Sequence, residues 1–291
     1  MLPRMAQKAQ VAIVGAGNLG SALAVSLPRA GYMIKAIIAR ARGTSLKRAR
    51  KLATEVGALA AVVPPAEMCA DIIWFAVPDA EIVRAAKAFA GKVDWKKVDW
   101  KKKVALHSSG ALTSDELDGL RRRGASVGSV HPLMTFVRGS RPSLAGVSFA
   151  IEGDPAALRV ARRIVHDVGG RSFSIRRKDK PAYHAWGTFA SPLFDALLAT
   201  TEQIASAAGV RQSEARHRII PILQQTLLNY AALGAAGAFS GPIVRGDVDT
   251  VKRHLRALRN VPQAQEVYSA LAKAALRYLP STRRKALSKL L

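Results

Sequence analysis

The sequence predicts an α/β fold, a doubly wound parallel sheet followed by an all-helical C-terminal domain. Three observations carry this. Short apolar runs alternate with helix-period stretches as far as Ile175. The runs are apolar along their whole length, as strands covered on both faces are. From Lys178 onward strand signals stop and only helical periodicity remains. The boundary is expected near residue 178, giving domains 1–178 and 179–291.

In order, strands are expected at Val11–Gly15, Met33–Ala39, Asp71–Val77, Lys103–His107 and Ser126–His131. Helices lie between them at Leu19–Ala30, Ser45–Val56, Ala80–Ala90 and Thr113–Arg123. The last has the spacing of a capping box, Thr113 with Glu116, and a stop at Gly124. A further strand–helix–strand unit reads Val147–Ile151, Pro155–Val168, Arg171–Ile175. Helices then follow at about 181–208, 213–233, 248–260 and 262–279. The tail STRRKALSKLL is basic and reads as solvated. Ile219–Val244 carries no charge over 26 positions. Its Pro221, Gln224, Gln225, Asn229 and Pro242 favour a buried helix and a glycine-rich loop over a membrane span. The tandem VDWKK of Val93–Lys97 and Val98–Lys102 reads as an inserted surface loop.

Of 291 residues 49% are hydrophobic, which excludes disorder as the main state. One cysteine, Cys69, permits no internal disulfide or thiolate metal cluster, and the N-terminus has no signal-peptide pattern, so a cytoplasmic protein is expected. The six histidines are dispersed, with no metal-ligand spacing, and no metal site is expected. The net charge of +25 is spread evenly, +13 up to residue 150 and +12 after it. A nucleic-acid binder gathers its charge on one stripe or segment, so no specific nucleic-acid partner is expected. Such a spread favours small anionic ligands instead.

Gly15, Gly17 and Gly20 in VAIVGAGNLG form G-x-G-x-x-G between a strand and a helix. Gly15 makes the tight turn, Gly17 lets backbone approach a pyrophosphate, and Gly20 permits close helix–strand packing. Asn18 and Leu19 open the helix whose free N–H groups would hold the phosphates. This is a Rossmann-type arrangement, and a dinucleotide is the cofactor it fits. An NAD site expects an acid about twenty residues beyond the glycines. Here the second strand ends in Arg40 and Arg42, with no acid before Glu55 and with Thr44 and Ser45 as hydroxyl donors. Guanidinium pairs with a 2′-phosphate, so NADP is favoured over NAD.

Val77-Pro78-Asp79, His107-Ser108-Ser109-Gly110 and His131-Pro132 end consecutive strands on one sheet edge. Ligands bind at that edge in such sheets. Each histidine alone reads as structural; together the three polar strand ends favour a site.

These blocks, with KPAYHAWGTFAS and GPIVRGD, resemble Rossmann-like oxidoreductases joined to the domain of unknown function 2520. The likeness runs from about residue 10 to 260. It extends to the wider 6-phosphogluconate and β-hydroxyacid dehydrogenase group, with ketopantoate and pyrroline-carboxylate reductases. The resemblance implies an NAD(P)-binding domain, a helical domain shared in a homodimer, and hydride transfer involving a small carbonyl, hydroxy acid or imine. It also implies a proton-donating lysine with a polar residue one turn later, matched by Lys180 and His184. Where the wider group has Ala-Ser-Asn, this chain has Ala190-Ser191-Pro192, and Pro192 should kink the helix. Ser108 and Ser109 are expected to hydrogen-bond a carboxamide or substrate oxygen. His131 and Arg245 are expected near the substrate, Arg245 as an anion clamp. Against these stand two structural readings: RRKDK as a charge run facing water, and Arg245 as a solvated or Asp247-paired loop residue. A non-catalytic protein holding NADP as a sensor or structural ligand is the alternative.

Overall fold

The computed structural model describes residues 8–62, 70–92 and 98–291, the side chain of Lys92 excepted. The first copy of VDWKK and Cys69 lie outside them. The chain divides into two compact units, Met1–Thr188 and Phe189–Leu291.

The first unit opens with β1 (Gln10–Val14), α1 (Asn18–Arg29), β2 (Met33–Ile38), α2 (Thr44–Val56), β3 (Leu59–Ala61) and β4 (Ile72–Phe75). It continues with α3 (Ile82–Lys92), β5 (Val104–His107), α4 (Asp118–Arg121) and β6 (Ser126–Pro132). It closes with β7 (Ser148–Gly153), α5 (Pro155–Asp167), β8 (Arg171–Ser174) and most of α6 (Lys180–Ala190), whose last two residues fall in the second unit. The strands form one sheet in the order β3-β2-β1-β4-β5-β6-β7-β8. Alternation along each strand supplies both faces. Val11, Ile13, Ile72 and Trp74 pack with α1, α2 and α5, while Val14, Ile73 and Phe75 pack with α3 and α4.

Four readings change here. β3 has no counterpart in the expected elements: it is three residues long, too short for a pattern, and follows the left-handed stop of α2 at Gly57. The sheet is not parallel throughout, because β7 pairs antiparallel with β6. The expected helix at Thr113–Arg123 is a 3-10 turn, Ser114–Leu117, leading into a short α4. There the Thr113 side chain accepts from the Asp115 backbone N–H rather than from Glu116. The second VDWKK copy is no surface loop, since Trp100 is buried against α3 and α4.

The second unit holds α7 (Pro192–Ala207), α8 (Gln212–Ala238), α9 (Val248–Ala257), α10 (Ala264–Tyr278) and α11 (Arg284–Leu290). Helix 181–208 is broken, with Ser191 at φ −130° and ψ −83° and α7 starting at Pro192. The tail is α11, and its Leu287 is fully buried with Val251, Leu255 and Leu276. The uncharged segment is helical to Leu233, breaks at Gly234 (φ +68°, ψ 176°) and resumes to Ala238, but it is not buried: Ile222, Leu227, Leu228, Tyr230 and Leu233 on α8 are all exposed. Among the described residues no helix is long and apolar enough to cross a membrane.

Candidate active site

The turn after β1 is shaped by its glycines. Gly15 has φ +111°, and a Cβ there would lie 2.4 Å from the Ala76 carbonyl oxygen. A Cβ on Gly20 would lie 2.0 Å from the Gly15 carbonyl oxygen, so any side chain pushes α1 off the turn. Gly17 differs: it caps α1, and nothing lies within 4 Å of where its Cβ would be. The turn is therefore closed inward by Gly15 and Gly20 and open outward at Gly17, beside helix N–H groups that no side chain caps. Asn18 reaches across it, its Nδ2 donating to the Phe136 carbonyl at 2.9 Å. Leu19 is partly buried against the sheet core.

Beside the turn is a mainly apolar cleft of about 490 Å³, lined by Val14, Ile38, Val62, Val77, Ala85 and Phe89. Arg40 and Arg84 stand in its wall with Glu81, which is ion-paired to both, Arg40 Nη1 lying 3.7 Å from its Oε1. A carboxylate thus comes from the turn after β4 rather than from β2, which a reading of β2 alone misses. Arg42 is exposed and lines no part of this cleft. Pro78 leads from β4 into the turn carrying Asp79.

The ends of β5 and β6 carry a hydrogen-bonded cluster. His107 is fully buried; its Nε2 is 2.9 Å from the Thr113 carbonyl, and its Nδ1 accepts from the Ser109 N–H at 3.1 Å. Burial pushes it down to about 4, so it is a neutral brace for the turn. Ser109 donates to Asp79 Oδ2 at 2.7 Å and accepts from the Leu112 N–H at 2.8 Å. Its only proton is thereby spent inside the protein. Ser108 accepts from Trp74 Nε1 at 2.8 Å, and among the described residues its own proton has no acceptor.

Lys180 overturns the solvated reading of its charge run. It is fully buried, and its Nζ donates to the Ser109 carbonyl at 3.0 Å and to Ser129 Oγ at 2.7 Å. Burial lowers it to about 8, opposed by the nearby carboxylates of Glu152 and Asp79. Because β7 and β8 run back across the sheet, α6 climbs alongside β6 towards the strand ends. Lys180 meets Ser129, Tyr183 meets His131, and His184 meets Gly110, in step. Tyr183 OH is 2.7 Å from His131 Nδ1, so the ring is oriented and its Nε2 faces Gly110. A Cβ on Gly110 would sit 2.9 Å from His131 Nε2 and 2.6 Å from His184 Cδ2. The missing side chain lets two imidazoles converge over one backbone atom, their centroids 6.0 Å apart. Burial and the Lys180 charge lower His131 to about 4, and burial raises Tyr183 to about 12.

Tyr183 and Ser129 were absent from the residues expected in this site, and Gly110 was expected only as the end of the His107–Gly110 block, with no role of its own. The Lys180–Tyr183 spacing of three, one helix face, is the signal that could have found Tyr183. Arg245 stands in the other unit, exposed on the turn before α9, where Asp247 accepts from the Thr250 N–H at 3.0 Å. Among the described residues it makes no ion pair with Asp247. No group of three or more histidine, cysteine or acidic side chains among the described residues could hold a metal.

Residues 4–132 match the Rossmann-like domain family, and residues 147–275 match the domain of unknown function DUF2520. The chain joins a Rossmann-like domain to a DUF2520 domain. The DUF2520 match takes in β7, α5, β8 and α6, so the lysine-bearing helix belongs to it while packing in the first unit. No curated protein matches the sequence. Among solved structures, a candidate NADP oxidoreductase from Bacteroides fragilis is similar at 19% identity and TM-score 0.74, over 92% of this chain and 98% of that one. A Thermotoga maritima protein matches at 24% identity and TM-score 0.70, over 91% and 96%. An imine reductase from a Pseudomonas species matches at 22% and 0.63, over 93% and 94%. At these identities the shared property is the fold.

Proposed function

We propose that the chain is an NADP-dependent oxidoreductase that reduces a small carbonyl or imine compound bearing negative charge. The observation that carries this is the convergence of His131 and His184 over Gly110, on the sheet edge that also presents the open glycine turn. Imine and pyrroline-carboxylate reductases and a reductive aminase are among the proteins of similar fold, which supports C=N as one acceptor class. The glycine turn and the apolar cleft fit a dinucleotide: Gly17 and the α1 N-terminus for the pyrophosphate, the cleft by Arg40 for adenosine, and Arg40 with Arg42 for the 2′-phosphate. The cofactor would supply the hydride.

The remaining work is the chain's own. Neutral His131, oriented by Tyr183, holds a proton on Nε2 when the tyrosine donates to Nδ1, and His184 stands beside it. His131 can give that proton to the acceptor atom as its negative charge grows, its Nδ1 taking the Tyr183 proton in exchange, while His184 can hydrogen-bond the same atom. Lys180 acts from below as a positioning residue: it fixes the Ser109 carbonyl and Ser129, and so the backbone at Gly110. Ser108 offers its free proton to the substrate or the carboxamide. Arg245 is retained as the anion clamp on its chemistry alone. The exposed apolar residues of α8 support a homodimer.

The test is NADPH oxidation followed by absorbance over a panel of oxo acids and cyclic imines. His131→Phe should lower kcat about 10²-fold with little change in KM. Lys180→Met should also lower kcat, by about tenfold or more, through misplacement of the same turn. Unchanged turnover in Lys180→Met, His131→Phe and His184→Ala alike would overturn the site. NADPH binding with no turnover of any compound would favour the sensor reading.

A further inference from the structure

Six polar side chains are buried among the described residues: His107, Ser109, Ser114, Ser129, Glu152 and Lys180. All belong to one group around β5, β6 and the start of α6, and the candidate site already employs His107, Ser109, Ser129 and Lys180. Glu152, on β7, and Ser114 are left over. Glu152 is the only buried carboxylate among the described residues, 4% exposed. Such a group costs stability unless its lone pairs are filled, so where its bonds go shows what it holds.

They go to two sides. Glu152 Oε1 accepts from the Ser114 N–H at 2.6 Å, and Oε2 accepts from Ser114 Oγ at 3.0 Å. Ser114 ends the loop that carries His107, Ser109 and Gly110, a loop closed on itself by the His107–Thr113 and Ser109–Leu112 bonds. Oε2 also lies 3.3 Å from Nε of Arg177, in the turn that leads into α6, and Arg177 Nη1 reaches Asp115 Oδ1 at 2.8 Å. Lys180, Tyr183 and His184 follow on that helix. One carboxylate thus holds both the loop with Gly110 and the approach to the helix with His184, the two parts that meet beside His131.

Strand register brings in a third part. Glu152 stands opposite Ser129 in the antiparallel pair of β7 with β6, so both side chains leave the same face of the sheet. Ser129 Oγ accepts from Lys180 Nζ at 2.7 Å. The groups that face Lys180 are the carboxylates of Glu152, from β7, and Asp79, from the turn after β4, with neutral His107 and His131 from β5 and β6. Asp79 is exposed and Glu152 is not, so Glu152 acts on the lysine through less water.

We propose that Glu152 is a positioning residue of the candidate site, joining the loop at Gly110 to the start of α6 and supplying the negative charge opposite Lys180. Its effect on turnover rests on the proposed reductase; its hold on the loop and on the lysine does not.

The experiment compares the full-length wild type with Glu152→Gln, Glu152→Asp and Arg177→Met. Turnover is read by NADPH oxidation, and two NMR signals report without any substrate. The Trp74 indole N–H, bonded to Ser108 Oγ at 2.8 Å, reports the loop. The Cε signal of isotope-labelled lysine, identified by its absence in Lys180→Met, reports the titration of Lys180. Glu152→Gln keeps the side-chain shape and loses the charge. It should lower kcat about tenfold with KM within about twofold, shift the indole signal and move the Lys180 midpoint to lower pH. Glu152→Asp keeps the charge without the reach, so kcat should fall while the Lys180 midpoint stays near that of the wild type. Arg177→Met alters a half-exposed side chain and carries the test if Glu152→Gln fails to fold. It should lower kcat severalfold and move the midpoint to higher pH, since a cation facing the same carboxylate is gone. Unchanged kcat in the folded variants overturns the proposal. So does a lower melting temperature with both signals unmoved, the mark of a merely structural carboxylate. If the wild type turns over no compound the reductase fails by itself, and the two signals alone decide whether Glu152 holds the loop and the lysine.

Discussion

The two units of the chain treat polar and apolar side chains in opposite ways. The first takes charge inside: Lys180 is wholly buried and Glu152 nearly so, each held by hydrogen bonds, and His107 is neutral in the core. The second leaves apolar surface outside: Phe189 is 72% exposed, Ile222 65% and Leu228 64%, while its own core is a few residues such as Val251, Leu255 and Leu287. Buried polar groups cost stability unless satisfied and are kept where geometry matters. Exposed apolar surface on this scale marks a surface that pairs with something. On the proposed reading, the first unit carries the chemistry and the second offers the face for association.

The sharpest way to break this contrast is to charge the exposed face. Leu228→Glu with Leu233→Glu should convert a dimer to monomers in sedimentation, since losing two buried leucines costs about 3 kcal/mol or more, over a hundredfold in dissociation constant. A wild type that is monomeric at micromolar concentration would remove the homodimer from the account.

A smaller effect sharpens the other side. His107 and His131 fall to about 4 in the folded chain, below the unfolded value near 6.5. Between these values the unfolded chain binds more protons, so stability falls as pH drops from about 6.5 to 4. Lys180, lowered to about 8, acts in the same sense at higher pH: stability rises between about 8 and 10.5. Thermal melts should follow both slopes. His131→Gln should flatten the acid limb and Lys180→Met the alkaline one; unaltered slopes would mean these groups are hydrated.

What could be read from the sequence followed from pattern strength. Long apolar runs such as Asp71–Val77 and the glycine turn announce themselves locally, and their strands and turn stand where expected. β3 did not, because three residues have no period. Lys180 sits in a charge run, and only the antiparallel return through β7 and β8 carries it under Ser109. Trp100 and Leu287 were hidden by polar neighbours, although one apolar side chain per turn was enough to bury each. α8 was misread in the other direction: uncharged sequence signals burial, and here the cover is not supplied within the unit. Ser109 was expected as a free donor, but its partners Asp79 and Leu112 come from the next strand end and its own turn.

The most direct test of the central reading is titration of the protein with NADPH and NADH, for the wild type and for Gly20→Ala. The account predicts NADPH bound at least tenfold more tightly than NADH through guanidinium contacts to the 2′-phosphate. It predicts loss of both in the variant, whose new Cβ would meet the Gly15 carbonyl at 2.0 Å. If the wild type binds neither dinucleotide, the glycine turn is only a turn and the proposed reductase is contradicted.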